Sequence, residues 1–352
     1  MIYALRETMQ KSQRIYRSIL LVSIIGSLIF ATSCGDFDEE DLGPDSEITF
    51  GIRHDKPLTD YETVATNTAP YNTGDFPDFE SVVNFTYSLN GSSEPEFVAT
   101  GLLVAPDWIL TAGHNFFDSE DQNQPAVVTG INVNLGNDPN NPSSTLDVEA
   151  LVFHPTWINE SEVIVGANDF CLVKLKSPVT SINPAILDNS GGEAIGGTVW
   201  YAGYGDYSGL PGQNSELYSK KHAISNILDR AVDGITSRTA NNVTWEGGLV
   251  AFDFDSPDGL VNSLGDDYTS EDEPLLGGGT SSADALDFEG GTVEGDSGGP
   301  LFQKIGSEWR VIGILSGGAN EPVPGHRDGN YGDISIFTRV STSIDWINSV
   351  IE

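Results

Sequence analysis

The sequence has few basic residues for its length. Its 352 residues include 16 Lys and Arg against 52 Asp and Glu, and the formal net charge is −36. Proteins that bind nucleic acid through phosphate contacts need the opposite sign of charge, so this class of function is excluded. Disorder does not explain the acidity, because 38% of the residues are hydrophobic and only 19% are charged. The composition therefore predicts a folded protein with an acidic surface.

Cysteine is scarce, with two in the whole chain. Cys171 lies in a segment, residues 169–175, where hydrophobic residues alternate as in a β-strand, and we expect a buried, unreactive thiol there. Its only possible disulfide partner, Cys34, lies near the N-terminus, where lipidation would remove it from disulfide chemistry. A small scaffold held by disulfides is excluded, so the fold must depend on its hydrophobic core.

Long hydrophobic runs are absent apart from one near the N-terminus. Residues 1–18 carry four Lys and Arg, residues 19–31 are almost purely apolar, and small residues follow. This order is typical of an export signal, and the apolar run is too short for an ordinary membrane span.

The junction after the apolar run resembles the lipobox of bacterial lipoproteins, with small residues directly before Cys34. The resemblance implies that residues 1–33 are removed and that Cys34 becomes the lipidated first residue. The alternative is an ordinary signal peptide that is cut near Ser33. We therefore expect an exported protein, anchored in the bacterial cell envelope by lipid or secreted. Residues 34–50 then form an acidic tether before a domain that spans residues 51–352.

The remainder of the chain consists of short segments rich in Val, Ile, Phe, Tyr and Thr, bounded by Gly, Pro, Asn or Asp. Such spacing predicts an all-β sandwich or barrel. Only residues 342–351 predict an amphipathic helix. The predicted strands are residues 82–89, 97–104, 108–112, 127–135, 148–154, 170–175, 198–204, 301–303, 311–316 and 334–339.

Residues 251–291 differ from the rest, because they are dense in Asp, Glu, Gly and Ser and have no sustained periodicity. We interpret them as a long acidic insertion on the surface. Within it, residues 253–259 offer three carboxylates. However, Pro257 occupies a ligand position and no Glu follows at the spacing of an EF-hand loop. A solvated loop is therefore favoured over a calcium site, and no metal or cofactor is predicted.

The strongest chemical signal is Gly-Asp-Ser-Gly-Gly-Pro at residues 295–300. A serine between glycines has an accessible hydroxyl, and the glycines allow successive N–H groups to converge, as an oxyanion hole requires. A polar, glycine-rich turn is the alternative interpretation. Ser297 is thus a candidate nucleophile.

A nucleophilic serine needs a base and a group that orients the base. His114 ends a predicted strand, which is a rigid place to mount a base, and Asp169 directly precedes another strand. These two residues are the candidates for the base and its carboxylate partner. The other histidines are interpreted as surface or loop residues; they are His54, His154, His222 and His326.

The hexapeptide also fits G-x-S-x-G, the nucleophile elbow of α/β-hydrolases, where the acid and then the histidine follow the serine. After Ser297 the only histidine is His326, and no Asp lies between them, so Glu308 or Glu321 would have to substitute. The order His114, Asp169, Ser297 instead matches the serine peptidases built from two barrels.

Residues 52–351 resemble a trypsin-type serine protease of the chymotrypsin fold. The resemblance implies two antiparallel six-stranded β-barrels, the first at about residues 51–185 and the second at about residues 186–352, with the active site between them and a short C-terminal helix. Matching blocks occur in the family's order at residues 99–106, 108–114, 154–157 with 168–175, 200–205, 313–318 and 337–347.

The resemblance also implies catalytic roles. Ser297 would attack the substrate carbonyl, His114 would accept and return the proton, and Asp169 would orient His114. The backbone N–H groups of Gly295 and Ser297 would form the oxyanion hole, and Ser316 would donate a hydrogen bond to Asp169.

The specificity pocket departs from trypsin itself. Gly291 stands where trypsin has an aspartate, so this position does not support a preference for Arg or Lys. Gly317 and Gly318 leave the predicted pocket entrance open, which suits a bulky apolar side chain. Glu294 and Asp333 could still favour a basic one, so the cleavage preference stays open.

Activation is a separate expectation from the resemblance. In the family, the residue at Asp296 receives a new N-terminal ammonium after the chain is cut. No activation motif is recognisable, and the nearest candidates are Ile48 and Ile52. A cut near Ile52 would also separate the enzyme from Cys34, so that activation and anchoring would exclude each other.

Together these patterns predict a monomeric serine endopeptidase that acts on proteins or peptides, uses no cofactor, and meets the membrane only through a lipid at Cys34. One alternative is a surface lipoprotein that uses the protease scaffold only for binding. Another is an esterase that uses the same three side chains.

Overall fold

The structure is a computed structural model that describes residues 50–89, 95, 97–116, 128–159, 168–207, 219–236, 244–265, 276–319 and 329–352. Cys34, His326 and the predicted signal peptide lie outside these ranges, so the predictions made for them stay predictions. No helix in the described ranges is both long and apolar enough to cross a membrane.

The first half of the domain forms a closed barrel of six antiparallel strands in the order β1-β2-β3-β6-β5-β4. The pairing places Thr111 of β3 opposite Cys171 of β6. The strands are β1 (Val82–Leu89), β2 (Phe97–Ala105), β3 (Trp108–Thr111), β4 (Val128–Leu135), β5 (Ser144–Phe153) and β6 (Cys171–Leu175).

The second half is a seven-stranded antiparallel sheet in the order β8-β7-β11-β12-β13-β10-β9. Its strands are β7 (Thr198–Gly203), β8 (His222–Ile227), β9 (Arg230–Thr236), β10 (Thr244–Asp253), β11 (Pro300–Ile305), β12 (Glu308–Ala319) and β13 (Ile334–Arg339).

The two edge strands of this sheet, β8 and β9, are nearly continuous in the chain. Only Leu228 and Asp229 separate them, and Asp229 N–H already bonds to Ala251 of β10. One bent segment therefore supplies both edge strands, which brings the two edges of the sheet toward each other as in a barrel. The all-β, chymotrypsin-like prediction is confirmed, with the second unit a seven-stranded sheet where six strands were expected.

Within the described ranges, the helices with printed bounds are α1 (Leu58–Val64), α2 (Pro155–Asn159) and α3 (Ile344–Ile351). The predicted C-terminal helix is confirmed as α3, which follows a 3-10 turn at Val340–Thr342.

Paired hydrophobic residues explain how the two halves pack. In a strand, neighbouring side chains point to opposite faces. Val83, Leu103 and Val173 belong to the core inside the first barrel, whereas their neighbours Val82, Leu102 and Leu172 belong to the larger core that includes the second sheet. These strands are therefore hydrophobic on both faces. The outer face of the first barrel packs against the second half of the domain.

The stretch at residues 251–291 is less exposed than expected. Residues 251–253 are the end of β10, and the side chains of Asp253, Asp255 and Glu289 are buried. The expectation of a solvated surface insertion is wrong for these parts. The reason is a buried cation on β9, Arg230, which binds backbone carbonyls of this stretch; the acceptors are Leu264, Gly277, Gly279 and Thr280.

Cys171 is fully buried in the first barrel. Burial raises the pKa of its thiol, which keeps the thiol protonated and unreactive. The interpretation of Cys171 as an inert core residue is confirmed.

Candidate active site

Strand pairing brings the predicted base and carboxylate together. His114 lies in a 3-10 turn, Gly113–Asn115, directly after β3, and Asp169 lies two residues before β6. Because β3 and β6 are antiparallel neighbours, the end of one lies beside the start of the other. The residue before Asp169 is held by a long-range hydrogen bond. Asn168 has φ 68°, and its Oδ1 accepts a hydrogen bond from Ser343 Oγ at 2.6 Å.

Ser297 enters the site from the second sheet, in the turn before β11. Gly298 N–H donates to Leu315 O, and Gly299 N–H donates to Asp296 O, each at 2.9 Å. At Gly298 the backbone has φ 87°, and a Cβ there would lie 2.0 Å from Thr111 Oγ1. Only glycine fits this contact between the two halves of the fold.

A continuous line of hydrogen bonds joins the three predicted residues. Ser297 Oγ lies 2.9 Å from His114 Nε2, and His114 Nδ1 lies 2.6 Å from Asp169 Oδ2. Asp169 is fully buried, and it also accepts the backbone N–H of His114 at 2.9 Å and the hydroxyl of Ser316 at 2.6 Å. Since an ionised carboxylate can only accept, Nδ1 carries the hydrogen and Nε2 is left to accept the serine proton.

The turn around Ser297 also presents free backbone donors. The N–H groups of Gly295 and Ser297 make no hydrogen bond with the part of the chain that the structure describes. Gly295 has φ 94°, a conformation that glycine adopts without strain. Two unpaired donors beside the serine hydroxyl are what an oxyanion hole supplies.

The predicted cleft residues lie along β12. Ser316 lies at a bulge, where the pairing with β13 shifts by one residue, and Gly317 and Gly318 pair with β13 on one edge. On the other edge, β11 pairs with β12 only as far as Ile314. A peptide could therefore add a strand beside these glycines.

Comparison with known families agrees with this geometry. The family model described as Trypsin matches residues 73–246 and 271–347, more than half of the chain. The chain belongs to the trypsin family. The unmatched residues 247–270 overlap the stretch in which this trypsin-like serine peptidase carries its extra acidic residues.

Gly291, the predicted pocket residue of this trypsin-family chain, lies beside Phe254. A Cβ at Gly291 would lie 3.4 Å from Cβ and Cδ1 of Phe254. Beside it, Thr292 Oγ1 and Ser335 Oγ lie 3.0 Å apart, and Thr292 N–H donates to Ser335 Oγ at 3.1 Å. Phe254, Thr292 and Ser335 thus lie beside the predicted pocket residue Gly291, and the sequence did not show these contacts because Phe254 and Ser335 lie far from it in the chain.

Asn115 is a second residue whose role the sequence did not show. Its Nδ2 donates to Ser297 O and to Thr111 Oγ1, each at 3.1 Å, and Thr100 N–H donates to the same Ser297 carbonyl at 2.9 Å. Here an amide fastens the turn that carries His114 to the turn that carries Ser297.

Gly113 replaces the alanine that is more usual beside the histidine, and the structure gives the reason. A Cβ at Gly113 would lie 2.8 Å from Cδ1 and Nε1 of Trp157 and 3.1 Å from Asp169 Oδ1. Trp157 fills the space that an alanine methyl group would need.

Two of the remaining histidines are not on the surface. His222 begins β8 and is 1% exposed, so the surface or loop interpretation is wrong for it, whereas His154 is a loop residue, as expected, but only 8% exposed. His154 packs edge-on to Trp346, and its burial lowers its pKa to about 4. His54 is exposed, as expected.

Four carboxylates in the second half of the fold are buried close enough to interact electrostatically. We call them the buried acid cluster; its members are Asp229, Asp253, Asp255 and Glu289. Burial raises the pKa of Asp255 to about 9 and the pKa of Glu289 well above its ordinary value. Asp255 Oδ1 and Glu289 Oε1 have no hydrogen-bond partner among the described residues. Within the same ranges, no group of three or more His, Cys, Asp and Glu side chains is arranged to hold a metal ion.

Proposed function

We propose that the protein is an exported serine endopeptidase that hydrolyses peptide bonds through His114, Asp169 and Ser297. The observation that carries the proposal is the line of hydrogen bonds from Ser297 Oγ through His114 to Asp169. Membership of the trypsin family supports the reaction class.

Acylation begins with attack by Ser297 Oγ on the carbonyl carbon of the peptide bond. His114 Nε2 accepts the hydroxyl proton as the new carbon–oxygen bond forms, and Asp169 stabilises the resulting imidazolium. The negative charge that develops on the carbonyl oxygen is met by the N–H groups of Gly295 and Ser297. These donors are already in place, so little reorganisation is needed in the transition state.

The tetrahedral intermediate collapses when the carbon–nitrogen bond breaks. His114 gives its proton to the leaving amine, and the acyl group remains on Ser297. Water then attacks the acyl-enzyme with His114 again as base, and Ser297 leaves with the proton returned. Asp169 accepts three hydrogen bonds that keep its carboxyl group oriented toward His114 in both steps.

Extended peptides suit the site better than small esters. At Gly317 and Gly318, the edge of β12 that faces away from β13 has no strand partner among the described residues and offers backbone hydrogen bonds to a substrate strand. This observation favours a peptidase over an esterase that uses the same three residues.

The experiment is hydrolysis of casein by the wild type and by Ser297→Ala, together with labelling by a fluorophosphonate. Both activities should be lost in the variant, and Ser349→Ala, an exposed serine of α3, should retain them. Unchanged turnover by Ser297→Ala would contradict the assignment. Hydrolysis of simple esters by the wild type without cleavage of casein would instead support the esterase.

Anchoring at Cys34 is part of the proposal, supported by the lipobox-like sequence that precedes it. Cells fed a labelled fatty acid should transfer the label to the wild type and not to Cys34→Ser. Label in both proteins, or in neither, would contradict the lipid anchor and leave an ordinary secreted enzyme.

A further inference from the structure

The carboxylate next to the nucleophile, that of Asp296, is fully buried and has its own set of donors. Oδ1 accepts the Gly205 N–H at 2.8 Å. Oδ2 accepts the Tyr207 hydroxyl at 2.8 Å and the Val293 N–H at 3.0 Å. A buried carboxylate with three donors is stable as an anion without a positively charged partner.

Other groups enclose the same carboxylate. A Cβ at Gly203 would lie 2.3 Å from Asp296 Oδ1, and a Cβ at Gly205 would lie 2.5 Å from Cγ. His222 Nε2 lies 3.3 Å from Oδ1, although the ring is not aligned for a hydrogen bond. An ammonium group that came to Asp296 would have to displace one of these neighbours.

The uncut chain already fills the adjacent space. Gly51 O accepts the Gly291 N–H at 3.0 Å, and Ile52 forms a β-bridge with Gly290. A Cβ at Gly51 would lie 2.6 Å from Tyr207 Cε1. Gly51, directly before Ile52, therefore packs against Tyr207 while the chain is continuous.

Tyr207 joins both ends of the loop that forms the oxyanion hole. Its hydroxyl oxygen lies 2.8 Å from Asp296 Oδ2 and 2.8 Å from Gly291 O. The single hydroxyl hydrogen is donated preferentially to the carboxylate, since the charged oxygen is the stronger acceptor. The hydroxyl thereby restrains residues 291–296, which include Gly295.

We propose that Tyr207 is a positioning residue that holds Asp296, and through it the oxyanion hole, in the uncut chain. On this proposal the enzyme needs no new N-terminal ammonium, in contrast with the role that the family resemblance implies for Asp296. The inference rests on the proposed peptidase function and goes beyond it.

The first test asks which polypeptide is active. Full-length protein is labelled with a fluorophosphonate, and the mass of the labelled chain is measured without digestion. We expect label on chains that still include the residues before Ile52. Label confined to chains cut near Ile52 would overturn this inference alone, whereas no label on any chain would contradict the proposed function as well.

The second test removes the hydroxyl. Tyr207→Phe should lower kcat by about 10- to 100-fold with KM nearly unchanged, because the donor set of the oxyanion hole is disturbed while the substrate strand is not. Tyr204→Phe is the matched control, since its buried hydroxyl bonds to the Val82 and Gly136 carbonyls. Equal kcat in the two variants would overturn the proposal, and the mass measurement decides it if Tyr207→Phe does not fold.

The pH profile gives a readout that a purely structural role would not change. The titratable groups that face Asp296 are Tyr201, Tyr207 and His222. Burial raises the pKa of Tyr207 well above its ordinary value, and the charge of Asp296 raises it further. An α-ammonium group, in contrast, has a pKa of about 8. Wild-type kcat should stay constant from about pH 8 to 10, and a decline with an apparent pKa near 8 would contradict the proposal.

Discussion

The fold buries two groups of carboxylates, one beside Ser297 and one in the buried acid cluster, and the two groups differ in how fully their oxygens are hydrogen-bonded. Asp169 and Asp296, beside Ser297, each receive three directed hydrogen bonds. In the buried acid cluster, Asp255 and Glu289 each have one oxygen without a partner in the described ranges. Burial is common to both groups, and it raises the pKa of Asp255 and Glu289, whose side chains each have an oxygen without a described donor.

The two groups differ in which backbone N–H groups reach their oxygens and in what the nearest cation binds. In the cluster, Leu264 N–H donates to Asp253 and Leu286 N–H donates to Glu289 Oε2. The turns at His114, Gly205 and Val293 direct N–H groups at the two active-site carboxylates. Beside the cluster, Arg230 donates all its hydrogen bonds to backbone carbonyls, Asp229 O among them, and none to a described carboxylate. Asp255 and Glu289 are therefore expected to be neutral carboxylic acids near neutral pH.

The largest expected effect is on catalysis, from Asp169→Asn. The amide keeps the shape of the carboxylate but donates a hydrogen where His114 needs an acceptor, so the wrong imidazole tautomer is held. We expect kcat/KM on a peptide substrate to fall by about 10³- to 10⁴-fold. A loss below about tenfold would show that Asp169 is not the orienting carboxylate.

Next is the stability effect of Arg230→Met. The side chain is 4% exposed, and its removal leaves the carbonyls of the acidic stretch without donors. We expect a loss of about 3 kcal/mol in the free energy of unfolding, measured by urea denaturation. Arg310→Met, at a surface pair with Glu308, is the control and should lose under about 1 kcal/mol. Equal losses would contradict the role of Arg230.

The charge states can be tested with Asp255→Asn. Because burial raises the folded-state pKa of Asp255 to about 9, the folded protein keeps a proton that the unfolded chain loses above about pH 4. The wild type therefore loses stability from this group as the pH rises, up to the folded-state pKa. Between pH 5 and pH 8, the free energy of unfolding of the variant should rise relative to that of the wild type by on the order of 2 kcal/mol.

The measurement is thermal unfolding of both proteins at the two pH values. A Tm difference that does not change between pH 5 and pH 8 would mean that Asp255 is already ionised in the folded protein. The cluster would then resemble the active-site carboxylates, and the comparison would fail.

The smallest expected effect comes from Asn115→Ala. Loss of the amide frees the turn of His114 from the turn of Ser297, and we expect kcat to fall about fivefold with a stability loss of about 1 kcal/mol. Asn134→Ala is the control, since its buried amide donates to Asn84 Oδ1 across the β1–β4 pair of the first barrel. The control should lose similar stability and no activity. Equal kcat values in the two variants would show that Asn115 does not support catalysis.

The sequence predicted the features that depend on local pattern. Alternation and turn residues predicted the strands that surround the site, and the order of His114, Asp169 and Ser297 predicted which residues meet, because strand ends carry them. The bent β8 and β9 segment and strand β10 were missed, since their polar residues, among them Asn226 and Arg230, interrupt the hydrophobic pattern. Contacts between distant residues, such as Asn115 with Ser297 O or Phe254 with Gly291, leave no signal in a single sequence.

The central claim is that Ser297 is the nucleophile of a hydrogen-bonded triad. It is tested most directly by mapping the fluorophosphonate adduct on the wild-type protein by peptide mass spectrometry. The account predicts one adduct, on Ser297, that forms rapidly in the wild type and in Asp255→Asn and slowly in Asp169→Asn. An adduct on another residue, or none on Ser297, would contradict it.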